Sequence, residues 1–251
     1  MMPPLLQRLR LPARLKSRDI WLTLVPMILW IAALYARPLL IHPSCSASNP
    51  CSQFKVFWLD QPSIGNLSGD ADFYSYFAQN MTAVIAVLMP FLYQVSVMIS
   101  GRVGSAIAFK AAMTDLLIFI QTWFLNGFFT ECGRLFSGRA RPYLYGRGVD
   151  PKLFLDPQNY TSFYSGHTSF VSAACIYLML TLFGRGAPAW LLIGCGVLSE
   201  CLITTTGVFR ILAGRHFLSD VLVAIVMGSL TALLIAIVHR PPLSPSLHES
   251  C

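Results

Sequence analysis

Apolar residues run along this chain in long blocks. Six blocks stand out, at residues 20–38, 80–99, 104–127, 168–184, 188–207 and 217–238. Each is close to the ~20 residues that carry a helix across a ~30 Å hydrocarbon core. The pattern therefore predicts an all-α, polytopic membrane protein with six transmembrane helices. The fourth block is short, and is expected to reach back through the residues just after His167. Pro26 and Pro90 interrupt two blocks, which is tolerated where neighbours satisfy the freed carbonyls. The expected organisation is one domain over 20–238, a basic cytoplasmic segment over 1–19 and a cytoplasmic tail over 239–251.

Composition sharpens this picture. The chain is 55% hydrophobic and only 12% charged, against about 25% charged in soluble domains. The formal charge of +7 does not predict a nucleic-acid partner. Much of it sits in the first twenty residues, at Arg8, Arg10, Arg14, Lys16 and Arg18. Basic residues beside a first span set orientation or meet anionic headgroups. The first block is longer than a signal-peptide core and lacks a small-x-small cleavage site, so it reads as a retained helix.

Charge also predicts sidedness. The N-terminus, Arg102, Arg185 and Arg240 share one side, expected to be cytoplasmic. Segments 40–79, 128–167 and 208–216 then fall on the opposite side. The last two carry Arg134, Arg139, Arg141, Arg147, Arg210 and Arg215, against the charge rule, and an anionic ligand would explain them. The first outer segment mixes aromatic and polar residues, and is expected to form an interfacial helix, a lid or an aromatic belt. Cys45 and Cys51 lie close together on the oxidising side, a spacing compatible with a disulfide.

Other polar residues read more plainly. Cys175, Cys195 and Cys201 are expected to pack within spans. Cys132 has no thiol-activating neighbour in sequence. His42, His239 and His248 read as loop or tail residues. Asp115 and Glu200 interrupt apolar blocks, which predicts a polar network in the bundle or a headgroup contact. Sequons at Asn66, Asn80 and Asn159 are expected on or near the outer side. With no CxxC or HExxH pattern, neither a metal site nor another cofactor is expected.

Three polar constellations interrupt the outer half. Arg134 precedes Arg141-Pro142, with six residues between the two arginines. Tyr164-Ser165-Gly166-His167 stands at the mouth of the fourth block. Arg210 precedes His216 by six positions, and Asp220 follows His216 by four. If Asp220 lies on the first turns of the last helix, it shares a face with His216. It would then accept one imidazole proton and leave the other nitrogen as base or nucleophile.

In order and spacing these segments resemble the type 2 phosphatidic acid phosphatase superfamily. That family shows Lys-x6-Arg-Pro, then Pro-Ser-Gly-His, then Ser-Arg-x5-His-x3-Asp, and the resemblance spans about residues 80–238. Arginine stands at the usual lysine position (Arg134), Tyr164 replaces the proline and Phe209 replaces the serine. The resemblance implies metal-independent phosphoryl transfer at the outer membrane interface. In it His216 becomes a phosphohistidine, Asp220 orients His216, and His167 protonates the leaving oxygen. Arg134, Arg141 and Arg210 would bind phosphate with help from Ser165 and Gly166, and Tyr164 and Arg139 are possible supporting residues. The implied substrate is a membrane lipid phosphate or diphosphate: undecaprenyl diphosphate, phosphatidate, phosphatidylglycerol phosphate or a lipid A type. The alternatives are phosphate transfer to a lipid or sugar hydroxyl, and a non-enzymatic lipid-binding or transport protein. The expected setting is a bacterial inner membrane with the site facing the periplasm. The sequence carries no signal of oligomeric state.

Overall fold

Six long helices carry the six apolar blocks in the computed structural model, which describes residues 17–239. Arg8, Arg10, Arg14, Lys16, Arg240, His248 and Cys251 lie outside the described residues. The helices are α1 (Ser17–Leu40), α2 (Gly69–Ile99), α3 (Ser105–Ser137), α4 (Gly166–Gly184), α5 (Ala189–Leu212) and α6 (Leu218–Val238). All six are long and apolar enough to cross a membrane. Short 3-10 turns, such as Trp58–Ser63 and Pro142–Tyr145, punctuate the connecting segments.

Helix ends follow local chemistry. Ser68 caps α2 by accepting from the Ala71 amide, and Asp70 and Asp72 in the first turn favour the positive end of the helix dipole. Helix α3 stops at Gly138, whose φ of 51° is left-handed. Ser165 caps α4 through the Thr168 amide.

Helix α4 is the hub. It packs against α2, α3, α5 and α6, whereas α1 lies against α3. Within its apolar window 67% of α4 is buried, against 11% for α1. Close approach of α6 depends on Gly228, where a Cβ would lie 2.2 Å from the Ser169 carbonyl oxygen. One apolar cluster joins Ala86, Ile118, Phe119, Phe170, Tyr177 and Ile235 between the helices.

Three helices run further than hydropathy predicts. Helix α2 starts at Gly69 and not near 80, α3 continues to Ser137 and not 127, and α5 reaches Leu212 and not 207. The added turns carry Asp72, Ser75, Glu131, Arg134 and Arg210: Arg210 of α5 pairs with Asp72 and Ser75 of α2, and Arg134 pairs with Glu131 one turn earlier on α3. A helix that satisfies its polar side chains laterally need not end where apolarity ends. The aromatic stretch 73–77 is accordingly the start of α2. In the first connecting segment Phe54, Phe57 and Trp58 remain exposed, while Asp60 is buried. Cys45 and Cys51 form a disulfide. Nearby, Ile41, Tyr143, Leu144, Phe154 and Tyr160 form a second small core over that end of the bundle.

Several lone polar residues find partners here. Asp115 pairs with Arg185 at 2.6 Å, between α3 and the end of α4. Glu200 stays exposed on α5. His239 is no loose tail residue: it is 2% exposed and its Nε2 lies 2.6 Å from Gln121 Oε1. Its partner sits inside the apolar run of α3, where a linear reading does not look. Asn159 is buried and hydrogen-bonded to Tyr143, which removes it as an accessible sequon. Cys175 and Cys195 are buried as expected, but Cys201 is exposed.

Candidate active site

The N-terminal ends of α2 and α4 and the C-terminal ends of α3 and α5 converge with the short turn between α5 and α6. That turn depends on Gly214, whose φ is 68° and whose Cβ position would fall 1.8 Å from the Asn66 carbonyl oxygen. Two residues later His216 is 1% exposed. Its Nδ1 lies 2.5 Å from the Ser162 carbonyl oxygen. A carbonyl only accepts, so Nδ1 carries the proton and Nε2 carries the lone pair. Burial holds this imidazole well below its usual pKa range, and the charges of Arg210, Arg141 and Arg134 push the same way. The ring is thus neutral and fixed in one tautomer.

Asp220 does not touch this ring, contrary to the face-sharing expectation. Helix α6 begins at Leu218, so His216 precedes the helix and the i,i+4 relation does not apply. Asp220 instead accepts from the Phe217 amide at 2.9 Å, from the Ser162 hydroxyl at 2.5 Å and from Arg139 at 2.5 Å. Ser162 is therefore the link: its hydroxyl donates to Asp220 and its carbonyl receives the His216 proton. The sequence marks Ser162 only as one hydroxyl in a polar run.

Arg139 is likewise committed elsewhere than to an anion. Its guanidinium donates to Asp60 at 2.7 Å, Ser219 at 2.9 Å and Asp220 at 2.5 Å. It also lies 4.0 Å from the Phe217 ring centroid. Two carboxylates balance its charge, and the clamp ties the first connecting segment to the start of α6. Ser165 is buried, with its hydroxyl occupied in the α4 cap. Tyr164 is 3% exposed and packs against Gly133, where a Cβ would come within 2.9 Å of the ring. Burial pushes its hydroxyl up to about 12.

The remaining arginines form the cationic floor. Arg134, in the last turn of α3, donates to Glu131 at 2.6 Å. Its guanidinium lies over Gly166, where a Cβ would be 2.6 Å from a terminal nitrogen, so a larger residue there would displace the guanidinium. Arg141 donates to Thr161 at 3.2 Å. Arg210, in the last turn of α5, donates to Asp72 at 2.5 Å and to Ser75 at 3.0 Å. Asp72 also receives Arg215 at 2.7 Å. Burial works against the charge on Arg215, but its bond and attraction to Asp72 outweigh this and raise its pKa. His167, on the first turn of α4, meets the edge of Tyr76 with ring centroids 4.3 Å apart.

All of these groups except Arg215 keep a buried nitrogen in reserve. Nε of Arg134, Arg141 and Arg210, and Nε2 of His167, have no hydrogen-bond partner among the described residues. Buried donors are seldom left unpaired, so a cluster of them marks where a multiply charged acceptor binds. Beside Arg134 and His167 opens a cavity of about 240 Å³, walled on its apolar side by Trp30, Leu34, Trp123 and Phe170. Asp72, Ser75 and Tyr76 were missed as site residues because a hydropathy boundary near 80 left them in a loop.

Comparison with curated proteins and with solved structures returned no match. The family model described as PAP2 superfamily matches residues 115–242, more than half of the chain. The match takes in Arg134, Arg141, His167, Arg210, His216 and Asp220, and leaves out α1, α2 and the first connecting segment. With the motif arginines and both motif histidines gathered at one end of a six-helix bundle, the chain belongs to the PAP2 superfamily of phosphatases and phosphotransferases.

Proposed function

We propose that this protein hydrolyses a membrane lipid phosphate or diphosphate, without a metal ion, through a phosphohistidine at His216. The observation that carries the reading is the set of unpartnered buried nitrogens on Arg134, Arg141, Arg210 and His167 around a neutral, single-tautomer imidazole.

In the first step His216 Nε2 attacks phosphorus, forming a P–N bond as the P–O bond to the lipid breaks. Positive charge grows on the imidazole, and the Ser162 carbonyl, held by Asp220, stabilises its Nδ1–H. Asp220 is thus a positioning residue acting through Ser162. Arg134, Arg141 and Arg210 stabilise the equatorial oxygens, where negative charge concentrates. An arriving phosphate favours the protonated form of His167, which then gives its proton to the leaving oxygen. In the second step neutral His167 takes a proton from water, and that water displaces His216 from phosphorus.

The leaving group occupies the cavity next to His167, with its chain along Trp30, Leu34, Trp123 and Phe170. Undecaprenyl diphosphate, phosphatidate, phosphatidylglycerol phosphate and lipid A phosphates are the candidate substrates. The proposed setting is a bacterial inner membrane, with both termini cytoplasmic and the site facing the periplasm. The test is phosphate release from a panel of these lipids by purified protein in detergent with EDTA. Sustained release from at least one lipid is expected. No release from any lipid, or release abolished by EDTA and restored by one divalent ion, would overturn the reading.

A further inference from the structure

We propose that Glu131 is a positioning residue for the phosphate site: it aims the guanidinium of Arg134, and Arg37 of α1 holds Glu131 in place. The inference rests on the phosphoryl-transfer reading above.

Neither Glu131 nor Arg37 belongs to the three motifs. Glu131 is 2% exposed and lies one helical turn before Arg134. One carboxylate oxygen accepts from Arg134 at 2.6 Å. The other accepts from two nitrogens of Arg37, at 2.5 and 3.0 Å. The third Arg37 nitrogen donates to Gln158 at 2.9 Å. The other terminal nitrogen of Arg134 fills the space that a Cβ at position 166 would need. Glu131 thus holds one end of the guanidinium, the other end sits above Gly166, and the buried Nε is left without a partner among the described residues.

The frame answers a specific chemical need. The family motif places lysine here, and an ammonium is a compact charge with rotatable donors. A guanidinium is a flat fork, so it serves a phosphate only when its plane is correctly set. Helix α1, which supplies Arg37, lies outside the region matched by the family. By Coulomb's law alone a carboxylate beside an anion site weakens anion binding. Glu131 helps only through geometry, and this gives the test its sign.

The experiment compares wild type, Glu131→Gln, Arg134→Lys and the double variant in detergent. Affinity for orthovanadate is read by calorimetry, and kcat and KM on a short-chain phosphatidate are read in parallel. Glutamine keeps the shape but offers one acceptor oxygen where two arginines now share two. Glu131→Gln is expected to weaken vanadate binding by about tenfold with Arg134 present, and by less than about twofold with lysine at 134. Unchanged or tighter vanadate binding in Glu131→Gln would overturn the proposal, as would equal fold losses in both backgrounds. If Glu131→Gln does not fold, Arg37→Lys takes its place in the cycle, with the same dependence on the residue at 134. A wild type that binds vanadate but hydrolyses no lipid phosphate defeats the functional reading while the cycle still decides the role of Glu131. A wild type that binds no vanadate overturns both.

Discussion

His216 shows how a residue's environment sets its chemistry. An exposed histidine titrates near 6.5, but burial and three arginines keep this one neutral well below that. The sign of the consequence follows from linkage. Below about pH 6.5 the unfolded chain takes up a proton that the folded protein refuses. The stability contributed by the neutral ring is therefore complete above that pH and is lost as pH falls toward the folded value. Thermal unfolding in detergent should fall more steeply between pH 6.5 and 5 for wild type than for His216→Gln, with a difference of up to ~1.4 kcal/mol per pH unit. Parallel curves would show that this imidazole is not held neutral. The third motif singled out His216 as a candidate, but not the partner of its ring. Spacing cannot tell whether two residues four apart lie on one helix, and here the helix starts between them, so Asp220 turns to Ser162 and Arg139.

At the scale of elements, all six helices were visible as apolar blocks, and the site-facing ends of α2, α3 and α5 were misplaced. Hydropathy stops at the first polar cluster, whereas α2, α3 and α5 continue through Asp72, Arg134 and Arg210, because Arg210 pairs with Asp72 and Arg134 with Glu131. Contacts between helices were invisible for a different reason. Hydropathy scores residues singly, while the α4–α6 seam depends on one missing Cβ at Gly228. Gly228→Ala would drive that atom into the Ser169 carbonyl and force α6 away, at a cost of about 1–3 kcal/mol. Gly194 provides the control, since it lies on α5 with no atom within 4 Å of its Cβ position. Gly194→Ala should be neutral or stabilising by up to ~1 kcal/mol. Melting temperatures of the two variants check this directly. A loss at Gly194 equal to that at Gly228 would mean that the α4–α6 seam is not a special close approach.

Over the whole molecule, the arginines that violate the charge rule on the outer side are the ones the fold collects. Arg134, Arg141, Arg210 and Arg215 come from two separate stretches of chain, and α4 brings His167 among them. The carboxylates that balance them come from α2 and α3, and for Arg139 from the first connecting segment and α6. The motifs thus made the cationic side of the site readable, while its carboxylate frame, formed across helices, was not. What unites these parts is the claim that phosphate passes through His216. The most direct measurement uses His167→Ala protein and ³²P-labelled p-nitrophenyl phosphate. This activated leaving group needs little protonation, so the first step survives while attack by water slows. Quenching into alkaline denaturant, which preserves a P–N bond, followed by peptide mass spectrometry, should locate the label on His216. The label should vanish when His216→Ala is added. Label on any other residue, or label undiminished in the double variant, would contradict the account.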